Sequence, residues 1–215
     1  MLHGEKMFKI TKSEPDFFTK SKLKVKIPKI SSAWSDKAIE TIRPKLREHI
    51  LLQEQNLLCA YCEKEIDDNP SNSNIDHFKL KAGHLFPEKT LDYHNLLVSC
   101  NTNGRCSNYK DKHISSKEVY DNIVNPIMEN PDDFFDYLIT GRIIAINDNP
   151  KAEFTIDIFQ LGRDIDEPLS RQRKEIADSL EHIKNLSLDE VHDIFGNEFC
   201  SFIKIVYPKI NIGEN

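Results

Sequence analysis

Cys59 and Cys62 form a C-x2-C pair in "LCAYC", and Cys100 and Cys106 form a wider C-x5-C pair in "SCNTNGRC". The segment between and around them, 58–113, is rich in Cys, His and Asn and has no long apolar run. Such a stretch buries too little apolar surface to fold alone. Four thiolates from two knuckles match a tetrahedral structural Zn2+, whose binding supplies the missing folding free energy. A thioredoxin-like redox role would need the first pair at a helix start within a βαβ pattern, and none is present. The fifth cysteine, Cys200, stands alone in a predicted helix and reads as a small core residue.

The chain has 215 residues, 39% hydrophobic and 30% charged, the profile of a globular protein with a sizeable core. No apolar run reaches the ~18 residues of a membrane helix. The opening "MLHGEKMFKI" lacks a secretory h-region, which leads to an expected cytoplasmic location and reduced thiols. The net charge is -6. A simple duplex-coating protein is basic, so contact with nucleic acid needs a local basic surface or a partner's. "KSKLKVKIPK" offers Lys20, Lys22, Lys24 and Lys26 at alternate positions. On an extended chain these share one face, and the plainer alternative is a solvated strand edge.

The pattern predicts an α+β, mainly helical chain in three parts: an N-terminal extended segment and helix (1–57), a zinc-stapled core (58–113) and a mostly helical C-terminal region (114–215). Residues 1–33 read as irregular or extended. Ile39, Ile42, Leu46 and Ile50 mark a helix over 36–57, kinked or broken at Pro44. Ser115 with Glu118 suggests a capped short helix in "SSKEVYDNIV", and "GRIIAI" suggests a strand. Pro168 opens a helix with the stripe Leu169, Ile176, Leu180 and Ile183. Ser187 and Glu190 form a second capping box, followed by the stripe Val191, Phe195, Phe199, Phe202 and Val206, expected to stop near Pro208.

The chemistry centres on "NIDHFKLK", with Asp76 and His77 adjacent. A neutral histidine takes a proton from water near pH 7, and a carboxylate suits a hard cation. The order of motifs is C-x2-C, Asp76-His77, Asn95 eighteen positions on, C-x5-C, then Asn108 and Lys110. It resembles the HNH endonucleases from Leu58 to about Lys112. The resemblance implies a ββα-metal nuclease core with a four-cysteine zinc site and helices on either flank. It implies His77 as general base, Asp76 as ligand of a catalytic Mg2+ or Mn2+, Asn95 orienting the histidine ring, and Asn108 completing the metal site, with His113 as the rival for that place. His94 reads as pointing away from the site on an extended segment, His84 as a loop residue, and His49, His182 and His192 as surface or packing residues of helices. Since the zinc site would carry the stability, Asp76 and His77 are expected to face solvent.

The flanks narrow the resemblance. "LREHILLQEQNLLCAYCEKEI", "LDYHNLLVSC", "NPIMENPDDFFDYLITGRI" and "FTIDIFQLGRDIDEPLSRQR" are similar to the HNH subunit of Septu-type anti-phage systems and to HNH effectors linked to retrons, over residues 8–175 or so. "DHFKLK" departs from the more usual "EHF" followed by a Pro-Lys pair. This resemblance implies an ABC-type ATPase partner, and the chain has no G-x-x-x-x-G-K-[ST] loop of its own. DNA is the expected substrate. The alternatives are RNA, including tRNA, or a zinc-stapled nucleic-acid or protein interaction module without catalysis.

Overall fold

The computed structural model describes residues 9–183 and 185–212; the expectation drawn from the opening residues falls largely outside them. The order is α1 (Asp16–Lys22), α2 (Lys37–Glu40), α3 (Arg43–Gln53), β1 (Ser73–His77), β2 (Leu96–Cys100), α4 (Cys106–His113), β3 (Phe135–Tyr137), β4 (Ile143–Ala145), α5 (Pro150–Phe159), α6 (Pro168–Leu180), α7 (Leu188–Phe195) and α8 (Cys200–Ile212). The fold is α+β and mainly helical, with two small antiparallel sheets, β1–β2 and β3–β4. No described helix is long and apolar enough to cross a membrane.

The central unit is β1, β2 and α4. Ser73 pairs with Cys100 and His77 with Leu96, so the register runs the full length of both strands. Every residue of β2 is buried, as expected of a short apolar strand covered on both faces. The expected break near Pro44 is present: α2 ends at Glu40, and Pro44 is the second residue of α3, where its missing N–H costs nothing. Ile39, Leu46 and Ile50 are fully buried. Helix α3 stops at Gln53, short of the expected 57, because Asn56 and Leu57 turn the chain with positive φ. The buried Gln55 side chain then bridges the Leu58 carbonyl to both backbone groups of Val98 on β2.

Several expectations are corrected. Residues 16–22 form a helix, so Lys20 and Lys22 lie on α1 while Lys24 and Lys26 lie in the turns after it, and no lysine-faced strand exists there. The Ser115–Glu118 box caps no α-helix; a 3-10 turn over Glu118–Asn122 stands in its place. The Ser187–Glu190 box forms in both directions. The last stripe is split into α7 and α8 by a break at Gly196 and Phe199, both with positive φ, and Pro208 lies inside α8. The β3–β4 turn presses on α6, where a Cβ on Gly141 would stand 2.0 Å from the Ser170 carbonyl oxygen.

One buried ion pair ties the N-terminal arm to this unit. Lys12 and Glu54 have side chains 0% and 1% exposed. Lys12 also donates to the Leu96 carbonyl, and Glu54 accepts from the Tyr93 hydroxyl and the Ser13 N–H. Burial holds the Lys12 ammonium below its ordinary pKa despite Glu54. Glu54→Ala strands that ammonium in the core. It is expected to cost about 3–5 kcal/mol, measured by urea unfolding.

Candidate active site and metal centre

The four cysteines converge as their spacing requires. Cys59 and Cys62 come from the loop after α3, Cys100 ends β2 and Cys106 begins α4. All four are buried, and their sulfurs lie within 4.8 Å of one another. Cys59 and Cys106 stand 3.8 Å apart, Cys62 and Cys100 3.9 Å. Zn–S bonds of about 2.3 Å in a tetrahedron give sulfur separations of about 3.8 Å, so the cluster fits a zinc ion. The Cys100 N–H donates to the Cys59 sulfur at 3.3 Å. Hydrogen bonds with Cys106 and Cys59 hold Cys100 far below the ordinary thiol pKa, while burial, then hydrogen bonds with the other three cysteines, holds Cys106 well above it. Four thiolates this close need a cation to ionise together. Purified protein is therefore expected to carry one tightly held zinc per chain by metal analysis, and Cys59→Ser to lose it together with thermal stability.

Asp76 and His77 end β1 and are buried, at 3% and 4% exposure, contrary to the expected solvent-facing pair. The Trp34 ring stands edge-on to the His77 imidazole at 4.7 Å. Strand pairing with a wholly buried β2 draws this end of β1 into the core. Asp76 accepts from the hydroxyl of Tyr61, the residue between the first two cysteines, and from Lys110 at 3.3 Å. The Lys110 side chain is fully buried. Its ammonium also donates to the His77 and Phe78 carbonyls at 3.0 and 3.2 Å and to Asp111 at 2.7 Å. Burial alone would lower its pKa; Asp76 and Asp111 more than offset this and raise it. Burial, and then Asp76, pushes the Asp111 carboxyl up to about 6.

The His77 ring is fixed by Thr90. Its Nε2 lies 3.0 Å from the Thr90 carbonyl oxygen. A carbonyl only accepts, so Nε2 carries the proton and Nδ1 is the basic nitrogen of the neutral ring. Burial, then the charge of Lys81, lowers the His77 pKa to about 4, against the opposing pull of Thr90 and Asp76.

Asn95 does not touch the ring. Its side chain accepts from the Lys79 N–H at 2.7 Å and donates to the Lys79 and Lys89 carbonyls, closing the loop that returns to Thr90. Its hydrogen bonds reach the backbone on either side of that loop and not the ring. Asn108 is turned from Lys110 by about 200° around α4. It donates to the Thr102 carbonyl at 3.3 Å and bonds neither Asp76 nor His77. His113, the rival, is exposed and stacks on Tyr109 at 3.8 Å. Exposed His84 and His94 stand apart from the pair as expected. Tyr61, Thr90, Asp111 and Trp34 went unforeseen. Only Tyr61 had a signal, its place inside the first knuckle. Cys200 lies outside the cluster, 3.7 Å from Glu63.

The displaced pKa values have opposite signs in stability. The unfolded chain protonates His77 below about pH 6.5, whereas the folded one resists to about 4, so stability falls as pH drops across that window. Asp111, raised to about 6, gains stability as pH falls from there toward the ordinary carboxylate range. His77→Gln is expected to remove an acid-side loss of up to roughly 3 kcal/mol, read from denaturant unfolding at pH 7 and pH 4.5.

No family model matches the chain. Two curated proteins are similar to it. "Septu protein PtuB" of Bacillus thuringiensis is 30% identical over 116 residues, 53% of this chain and 40% of PtuB. "Retron Ec83 putative HNH endonuclease" of Escherichia coli is 31% identical over 155 residues, 55% of this chain and 60% of that protein. The chain thus spans about half the length of the curated relatives it matches. These similarities support an HNH-type family relation for this chain.

Proposed function

We propose that the chain is an HNH-type endonuclease that hydrolyses phosphodiester bonds of nucleic acid, DNA foremost, as the nuclease of an anti-phage defence complex. The observation that carries this assignment is the state of His77, neutral near pH 7 with its Nε2 proton given to Thr90 and Nδ1 left as the base. In the reaction, Nδ1 takes a proton from water as the water oxygen bonds to phosphorus. The bond from phosphorus to the leaving sugar oxygen breaks, that oxygen takes up a proton from solvent water, and His77 later returns its proton to solvent. Lys81 brings positive charge beside His77 for the phosphate. Trp34 closes off the ring, so the turn Ser31–Ser35 has to open for substrate to enter.

The resemblance also implies a catalytic Mg2+ or Mn2+ on Asp76 and Asn108. The donors as arranged do not fit one. The Asp76 carboxylate is engaged by the Tyr61 hydroxyl and the Lys110 ammonium, and the Asn108 amide bonds Thr102. The hydrolytic step proposed for His77 therefore uses no cation on these two residues, and a catalytic Mg2+ or Mn2+ there would require Asp76 and Asn108 to give up these partners. An ABC-type ATPase partner is proposed from the sequence resemblance alone.

Plasmid nicking tests the assignment. The wild type is expected to cut with Mg2+ or Mn2+ present and to stop with EDTA. His77→Ala should lose about 10²–10⁴-fold in rate while keeping its zinc. Wild-type cleavage by His77→Ala would remove the assignment.

A further inference from the structure

The turns after α1 make a surface that the hydrolytic site does not use. From Phe17 to Ser35 the chain contains five lysines and no acidic residue, in a protein of net charge -6. Lys22 pairs with Glu14. Lys24, Lys26 and Lys29 are exposed and make no ion pair among the described residues. Beside them in the chain stand Leu23, Ile27 and Ile30, exposed at 83%, 60% and 40%. From Leu23 to Ile30 only Val25 turns inward. Holding three large apolar side chains in water among unpaired ammonium groups is costly in isolation, and such patches mark binding surfaces.

The position of the loop indicates its partner. It runs directly into Ser31, whose hydroxyl donates to the Lys81 carbonyl, and into Trp34 against His77. Lys81 in turn bears on His77. A polyanion laid along Lys24, Lys26 and Lys29 is thereby led to the candidate base. We propose that Leu23–Ile30 is a nucleic-acid grip: the three lysines neutralise backbone phosphates, and Leu23, Ile27 and Ile30 pack on sugars and base edges. This rests on the nuclease assignment for its choice of nucleic acid. An anionic membrane would satisfy the lysines equally, but the loop's attachment to the hydrolytic site favours the polymer that site would cut.

Binding of a labelled DNA duplex to the full chain, followed by anisotropy across a salt series, tests the grip. His77→Ala is used throughout to prevent cutting. Each phosphate contact contributes about 0.9 to the slope of log affinity against log salt, so Lys24→Gln, Lys26→Gln and Lys29→Gln together should lower it by about 2–3. Leu23→Ser with Ile27→Ser should weaken binding and leave the slope alone. An unchanged slope in the lysine variant, or wild-type affinity in the apolar variant, overturns the proposal. So does binding to phosphatidylserine vesicles in place of duplex. Cleavage by the otherwise wild-type chain with an unchanged slope in the lysine variant would sink the grip and leave the nuclease assignment standing. A steep, lysine-dependent slope in a chain that cuts nothing would do the reverse. A chain that neither binds nor cuts duplex would remove both.

Discussion

Five consecutive residues, Cys59 to Glu63, hold the molecule together by facing three ways. The two sulfurs turn toward the cluster shared with β2 and α4. Tyr61 turns the other way, stacks on Phe159 of α5 at 4.1 Å and gives its hydroxyl proton to Asp76. Glu63, held at positive φ, is half-buried and accepts from both the N–H and hydroxyl of Ser201 at the start of α8, while its carbonyl accepts from Phe199. Burial raises the Glu63 carboxyl's pKa, with the Ser201 bonds opposing. One knuckle thus sets the metal centre, the carboxylate of the candidate site and the docking of the C-terminal helices.

Much of this was legible because covalent spacing and periodicity are local. The C-x2-C and C-x5-C pairs point to a four-cysteine cluster able to hold a metal without tertiary information, and Pro44, Pro168 and the Ser187 box locate helix starts to within a residue or two. What failed depended on packing. A zinc site carrying the stability suggested that Asp76 and His77 are free to face water, but a β1 paired to the buried β2 carries its polar end inward. Asn108 belongs to the sequence motif, yet α4 presents Cys106, Ser107 and Lys110 to the core and leaves Asn108 on another side. Thr90 has no motif at all; its backbone carbonyl does the work, and the sequence carries no trace of that.

The candidate site is also unusual in its charge balance. A fully buried lysine is costly unless every proton on its nitrogen is used. Lys110 meets that condition with two carboxylates and two carbonyls, so the last residues of β1 and the helix α4 are locked in mutual position. The same burial that locks Lys110 keeps His77 uncharged. The His77 ring is held by a carbonyl on one nitrogen and packed against Trp34, so its orientation is fixed by the same packing that closes the site.

The bond from Glu63 to Ser201 joins residues 138 apart in the chain. A chain emerging from its N-terminus presents the whole metal centre once Cys106 has appeared, so that part can close early. Glu63 then remains open to water until α8 arrives. The knuckle is therefore built twice during synthesis, first around its sulfurs and only at the end around its carboxylate. A chain ending before Ser201 would complete its cysteine cluster while lacking the hydrogen bonds that make burial of Glu63 tolerable.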